Sequence, residues 1–478
     1  MSWKTQNKRR PGAYINVVGK GKDNTGADIG RTLLPISSQL DWGAKGIIKL
    51  NSDSNFKALL GHDINGPELQ TLHEVLKGAN TVLLLNNNDG KPATATEPSL
   101  PWKFTAMYPG TKGNDLHVTV QKQDSKVTVS TLFGTKMVDQ QVIDVTKPDN
   151  LIDNDFVKFE KTTELAPSAP GSDGNGSNGS DGSDSKTKSL KASNTPVVMA
   201  SKLESLGNDV TVDLTGGTTV PVQIADLLND ALETEDYDVA TTAGFPIDSP
   251  LHKQLVDEIK HLRDDNDVKV RGVVPATTDK INYEGISTVA NGVVLGDGTE
   301  LDATVAAGYF AGVSSSADAS KSLTYVEYPD AISAYPKFSN DKTIDALEKG
   351  QIVFTTKRNE TVVIEQDINS LTKVTADKPV FFSKNRVVRT MDTVVTRIKH
   401  TFEDMFLGKI TNNAAGRDLF KANIVSYLQG LSDAGVINGF NEEDITVEEG
   451  NERDAIVVNL AITPLDSMEK LYMTMVVQ

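Results

Sequence analysis

Asp236-Tyr237-Asp238-Val239-Ala240-Thr241-Thr242, then Leu251 to Asp264, then Val268-Lys269-Val270-Arg271-Gly272-Val273-Val274 is the stretch from which the fold is read. The outer segments are strand-like, and the middle one sets Leu255, Ile259 and Leu262 at helical spacing. Strand, helix, strand within about 40 residues is a βαβ unit, expected to cross right-handed over a parallel sheet. Downstream, Leu301 to Val313 reads as a helix with small residues at Ala303, Ala306, Ala307 and Ala311. Upstream, Asn65 to Gly78 carries Leu69, Leu72, Val75 and Leu76 at helical spacing and feeds the apolar run Thr81-Val82-Leu83-Leu84-Leu85. A continuous apolar strand predicts a sheet covered on both faces, so this strand is assigned to the same sheet as the βαβ unit.

Composition changes near Asn86, where Pro92, Pro98 and Pro101 mark a boundary. From Lys103 to Lys161 the chain alternates as strands do, as in Leu116-His117-Val118-Thr119-Val120-Gln121 and Lys126-Val127-Thr128-Val129. This is a β-sandwich or barrel inserted into one α/β domain. Ala166 to Thr195 is dominated by Gly, Ser, Asp and Asn, too polar to offset the entropy of ordering it. Asp173, Asn175, Ser177 and Asp184 resemble a degenerate calcium loop, but the sixth position is Asn178 and the bidentate Glu is missing, which favours a flexible surface loop.

Beyond Pro379, Thr390 to Leu407 and Ala414 to Ala434 are long helical patterns, the first with Val394, Val395, Ile398, Phe402 and Phe406 on one side. Asp454 to Ile462 is strand-like, as is the last stretch from Glu469 to Gln478, which has no local partner. A second short β-prone segment, Pro11 to Gly19, follows the basic lead Lys4 to Arg10. Extended segments at the ends of a chain commonly satisfy their backbone groups at another sheet edge, so both read as links to neighbouring subunits.

At 478 residues the chain is long enough for several domains. Acidic residues outnumber basic ones, 65 to 48, and the net charge of −17 argues against nucleic acid and anionic membranes as partners. The absence of cysteine removes disulfides, thiol catalysis and thiolate metal sites. The basic N-terminus lacks an apolar h-region, and no stretch of about 18 apolar residues occurs, so the expectation is a soluble protein made in the cytoplasm that leaves a cell by lysis or within a particle.

Enzyme signatures fail in turn. No Gly-Lys pair is followed by Ser or Thr, and neither a Gly-x-Ser-x-Gly elbow nor a His-Glu-x-x-His helix occurs. The six histidines, His62, His73, His117, His252, His261 and His400, are scattered. Gly308-Tyr309-Phe310-Ala311-Gly312 is explained by close helix packing, and Lys321-Ser322-Leu323-Thr324 by a loop with no orienting third group. No catalytic, cofactor-binding or metal-binding residue is assigned and no cofactor is expected. A serine-hydrolase-like enzyme or a surface adhesin remain as other classes, the first lacking a convergent triad and the second an export signal.

Arg10-Pro11-Gly12-Ala13-Tyr14, Tyr108 to Asp115, Ala307-Gly308 with Ser322-Leu323-Thr324, and Ile364-Glu365-Gln366-Asp367-Ile368-Asn369 follow one another as landmarks do in contractile phage tail sheath proteins. Gly408 to Arg417 and Pro464-Leu465-Asp466-Ser467-Met468-Glu469-Lys470-Leu471-Tyr472 resemble that family most closely, in the form seen in myophages and defective prophages of Gram-positive bacteria. The resemblance spans nearly the whole chain, with the Gly/Ser/Asp-rich loop as the main departure.

The resemblance implies an α/β and β multidomain fold. Its parts would be an N-terminal arm (1–29), a subtilisin-like α/β core without a catalytic triad (30–95 and 216–378), an inserted β-sandwich (96–215) with its loop at 166–195, a C-terminal α+β domain (379–464) and a terminal arm strand (465–478). It implies hexameric rings stacked helically around an inner tail tube, with baseplate and tail terminator proteins as further partners, in a virion assembled in the bacterial host cytoplasm. A phage-tail-like bacteriocin or defective prophage particle is the alternative setting. Strand exchange would use Ala13, Tyr14, Ile15, Asn16, Val17 and Val18 at one end and Leu471, Tyr472, Met473, Thr474, Met475 and Val476 at the other. The basic set Arg386, Arg389, Arg397, Lys399 and Lys409 is the candidate contact with an acidic tube or neighbour, and the acidic run from Glu442 to Glu452 the candidate receiver of the basic N-terminal arm.

Overall fold

The computed structural model describes residues 29–162, 202–207 and 209–477. The predicted N-terminal arm and the Gly/Ser/Asp-rich loop, with its degenerate calcium pattern, lie outside the described residues. The chain passes back and forth between two compact units. One comprises residues up to Leu33, Glu74–Val82 and Glu235–Gln478, and the other Leu34–His73 and Leu83–Thr234.

In the first unit, strands Val239–Thr241 and Arg271–Pro275 lie side by side and parallel, in the register Val239 to Arg271, joined by helix Pro250–Asp264. The helix starts where Ser249 accepts a hydrogen bond from the Leu251 amide and Pro250 fills a first-turn position that needs no donor. Its Leu255, Ile259 and Leu262 are buried, as their spacing requires. The strand before it is shorter than expected, and the Asp238 carboxylate accepts the amides of Gly30 and Arg31 at 2.8 and 3.0 Å. Arg31–Pro35 pairs parallel on one side, and Ile286–Val289 followed by Gln351–Ile352 on the other. The strand order of this sheet continues from Arg31–Pro35 through Thr81–Asn86, the apolar run from ahead of the β-rich segment.

The second long helix runs Ala303–Ser316, later than its apolar pattern suggested. Glu300–Leu301 is drawn into a short antiparallel strand, and Asp302 caps the helix by accepting the amides of Thr304 and Val305. Its glycines serve packing: a Cβ on Gly312 would lie 2.1 Å from the Val75 carbonyl oxygen, so the helix touches backbone there. The Asn65–Gly78 pattern resolves into a 3-10 turn, Pro67–Leu69, and a helix, Gln70–Leu76.

The second unit holds a β-sandwich. One sheet orders Val210–Asp213, Leu116–Gln123, Lys126–Phe133 and Lys136–Asp144, and the other Thr94–Thr96, Trp102–Ala106 and Val157–Lys161. Strict alternation along Trp102–Ala106 and Lys126–Phe133 sends every second side chain into a core around Trp42, Trp102, Phe104 and Phe156. Gly110, in the landmark after Tyr108, has φ of +139°, and a Cβ there would meet the Asp41 carbonyl oxygen at 1.8 Å.

The C-terminal part of the first unit is an α+β module. Helix Asn385–Thr401 continues into a π-turn, Phe402–Phe406, and helix Ala414–Asp433 packs against it through Phe406 and Phe420, whose rings are 4.7 Å apart. Val394 is buried in this core, whereas Val395 turns outward, one step round the helix. Strands Ile445–Glu449 and Ile456–Leu460 form an antiparallel pair of their own. Residues 470–477 pair with no strand among the described residues and are exposed.

Candidate assembly interface

Three segments that stand far apart in the sequence meet where the exposed C-terminal segment leaves the fold. Glu469 points inward, its side chain 11% exposed. One carboxylate oxygen accepts from Thr324 Oγ1 at 2.9 Å and Ser467 Oγ at 3.4 Å, and the other from Gln366 Nε2 at 2.7 Å and from Lys384 Nζ. Asp466 stands 3.9 Å from the same lysine. Burial alone would raise the Glu469 carboxyl, but the donors Lys384, Gln366 and Thr324 outweigh it and hold it below the usual glutamate range.

Beneath this contact lies a buried polar cluster. Asp367 accepts from the Leu323 amide at 3.0 Å, Arg389 Nη2 at 2.8 Å and Asn385 Nδ2 at 2.9 Å. Arg389 Nη2 also donates to the Lys321 carbonyl oxygen at 2.6 Å, and Asn385 Nδ2 to the Ile368 carbonyl oxygen at 2.8 Å. The Asp367 amide donates to Thr324 Oγ1 at 3.0 Å, which ties the cluster to the Glu469 contact. One turn further along the same helix, Asp392 takes both terminal nitrogens of Arg263 at 2.8 Å. The first half of helix Asn385–Thr401 is thus bonded to the central part of the unit, and its second half supplies the core of the C-terminal module.

The expected site residues fall out unequally. Ala13 to Val18 lie outside the described residues. Leu471, Tyr472, Met473, Met475 and Val476 are each more than two-thirds exposed, an apolar run that water disfavours. Arg389 leaves the basic surface set: it is 2% exposed and committed to Asp367 and Lys321, because a buried guanidinium must be paired. Arg386 is half-buried, and Arg397, Lys399 and Lys409 are exposed, with Arg397 over the Tyr427 ring and Lys409 bonded to the Asp404 carbonyl oxygen. The acidic run from Glu442 to Asp444 and at Glu448, Glu449 and Glu452 is exposed around the two-stranded sheet.

Glu469, Lys384, Asp367 and Asn385 were not singled out by sequence reasoning, although the segments that carry them include the quoted landmarks around Gln366 and Pro464. Only the fold shows that they touch. The Lys321 to Thr324 loop is structural too: Ser322 Oγ accepts from the Thr324 amide, and Leu323 and Thr324 hold Asp367 and Glu469. His252 is buried and bonded to Thr242 and to the Pro246 carbonyl oxygen, so it is spoken for within its own loop.

The phage tail sheath protein β-sandwich domain matches residues 88–181, the central domain residues 218–370, and the C-terminal domain residues 377–478. The phage-like element PBSX protein XkdK of Bacillus subtilis strain 168 is 32% identical over 481 residues, 97% of this chain and 96% of that protein. The chain belongs to the phage tail sheath protein family. The solved sheath tail protein of Listeria innocua superposes with a TM-score of 0.72 at 31% identity, covering 94% of this chain and 95% of that one. The helical sheath of the anti-feeding prophage in its contracted state shares the fold, at a TM-score of 0.50 and 11% identity over 97% of this chain and 98% of that one. As a phage tail sheath protein this chain is a structural subunit and not an enzyme.

Proposed function

We propose that this sheath subunit polymerises around an inner tail tube by strand exchange and contracts to drive the tube through the host envelope. The observation that carries the reading is the segment 470–477, apolar, exposed and unpaired among the described residues. Strands Ile445–Glu449 and Ile456–Leu460 leave edges open among the described residues, and an extended segment from a neighbour completes such a sheet. A strand of about six residues adds roughly half a dozen backbone hydrogen bonds at about 1 kcal/mol net each. It also buries either Leu471, Met473 and Met475 or Tyr472, Thr474 and Val476, depending on register. The basic N-terminal arm through Ala13 to Val18 is the second strand, drawn to the acidic surface around Glu442 to Glu452.

The α/β core serves as a rigid, subtilisin-like body with no catalytic triad, and hexameric rings of it stack helically. The tube-facing surface is polar, because a surface that must slide cannot be a large apolar one, and Arg386, Arg397, Lys399 and Lys409 are its candidate contacts with an acidic tube. Energy is stored in contacts between cores that improve on contraction, while the strand links hold. The baseplate triggers the change and a terminator protein caps the tail, in a virion assembled in the host cytoplasm.

The test is negative-stain electron microscopy of the purified subunit across a concentration series, with size-exclusion chromatography alongside, repeated with a co-expressed tube protein. Striated hollow tubes are expected. Monomers under every condition, the tube protein included, would overturn the reading.

A further inference from the structure

The exposed segment does not hang from a loose tether. Its last residue with inward contacts is Glu469, bonded to Thr324, Gln366 and Lys384, which come from three different parts of the first unit. The residues on either side behave differently: Met468 is fully exposed, and every residue from Lys470 to Val477 is exposed. Ahead of it, the Leu465 amide bonds the Val436 carbonyl oxygen at 3.0 Å, so the path between the two-stranded sheet and Glu469 is short.

We propose that Glu469 is the positioning residue that fixes the root of the assembly segment to the core. A neighbouring subunit that grips residues 471–476 then pulls on Lys384 and Gln366, and through them on the adjoining Asn385 and Asp367 of the buried cluster, instead of peeling the segment back toward Leu465. The chemistry suits this. A carboxylate accepting from an ammonium, an amide and a hydroxyl uses charge-assisted bonds, which are shorter and stronger than neutral ones. Its donors sit on elements fixed independently: Thr324 by the Asp367 amide, Lys384 by its place next to Asn385 at the start of helix Asn385–Thr401. The part of this inference that concerns neighbours rests on the strand-exchange reading. The anchoring itself is a property of the free subunit.

The absence of cysteine makes the test direct, since a single introduced thiol is labelled uniquely. A nitroxide on Met468→Cys, whose side chain faces solvent, reports the mobility of the root by electron paramagnetic resonance. In the free subunit the label is expected to be slow with Glu469 present and severalfold more mobile with Glu469→Ala. Glu469→Gln, which keeps the shape and loses the charge, is expected to fall between, and Lys470→Ala to match the parent. The label in Glu469→Ala should be mobile at temperatures well below the variant's own thermal midpoint, which separates anchoring from general unfolding. Assembled under identical conditions, Glu469→Ala should give fewer and shorter tubes. An unchanged label spectrum, or a lowered midpoint that accounts for the mobility, overturns the anchor, and tubes of unchanged number and length overturn its role in holding a neighbour. Should the parent form no tubes at all, the strand-exchange reading fails, and the label on the free subunit still decides whether Glu469 anchors the segment.

Discussion

Asp367 and Arg389 carry the largest single-residue consequence in the molecule. Both are almost wholly buried; Asp367 is bonded to Arg389 Nη2, Leu323 and Asn385, and the same nitrogen to Lys321, while Arg389 Nε and Nη1 find no partner among the described residues. Removing one partner leaves a charge in low dielectric, so Arg389→Ala or Asp367→Ala is expected to destabilise the first unit by about 3–5 kcal/mol, read by chemical denaturation. Glu469 gives a pH signature whose sign follows from its depressed carboxyl. Its contribution is fully present above the ordinary glutamate value of 4.5 and is lost as pH falls through the lower folded value. Lys384 and Asp466 are the other charged groups at this carboxylate. The nitroxide at position 468 should therefore stay slow at neutral and mildly acidic pH and become mobile only below 4.5. Gly312 is the fourth such position: with the Val75 carbonyl oxygen 2.1 Å from a would-be Cβ, Gly312→Ala must move backbone, and a loss of about 1–3 kcal/mol is expected in thermal unfolding.

Among elements, helix Asn385–Thr401 has two employers. Its N-terminal half is held by polar bonds to the central part of the unit, and its C-terminal half by apolar packing against helix Ala414–Asp433. A helix shared in this way couples the C-terminal module to the rest of the unit without a hinge. Segment 470–477 is the opposite kind of element, with no backbone bond among the described residues. Met473→Pro is therefore expected to leave the free subunit folded, by circular dichroism and size exclusion, while abolishing tubes in the microscope, because proline removes a donor from the exchanged strand. Normal tubes from that variant would refute strand exchange through this segment. The two-stranded sheet of the C-terminal module, too small to be stable alone, is a natural place for strands to be added.

For the whole molecule, the alternation between two units explains how a β-sandwich can sit inside an α/β chain. The chain leaves the first unit at Leu33, returns for Glu74–Val82, and returns finally at Glu235. The Gly/Ser/Asp-rich stretch falls within that excursion, and its composition gives it nothing to bury. Deleting residues 171–185 is expected to leave tube formation unchanged. Loss of tubes in the microscope would show that the stretch takes part in assembly.

The parallel βαβ unit, the sandwich and the paired helices near the C-terminus were legible in the sequence, because periodicity and apolar runs report which face of an element is buried. What periodicity could not report was partnership. The pattern of residues 469–478 reads as a strand whether or not another strand is there to pair with it. Arg389 looks like any surface cation until Asp367 is brought beside it from another element. Only the tertiary structure decided that Glu469 turns inward while its neighbours face water, because Thr324, Gln366 and Lys384 converge on one carboxylate through the fold alone.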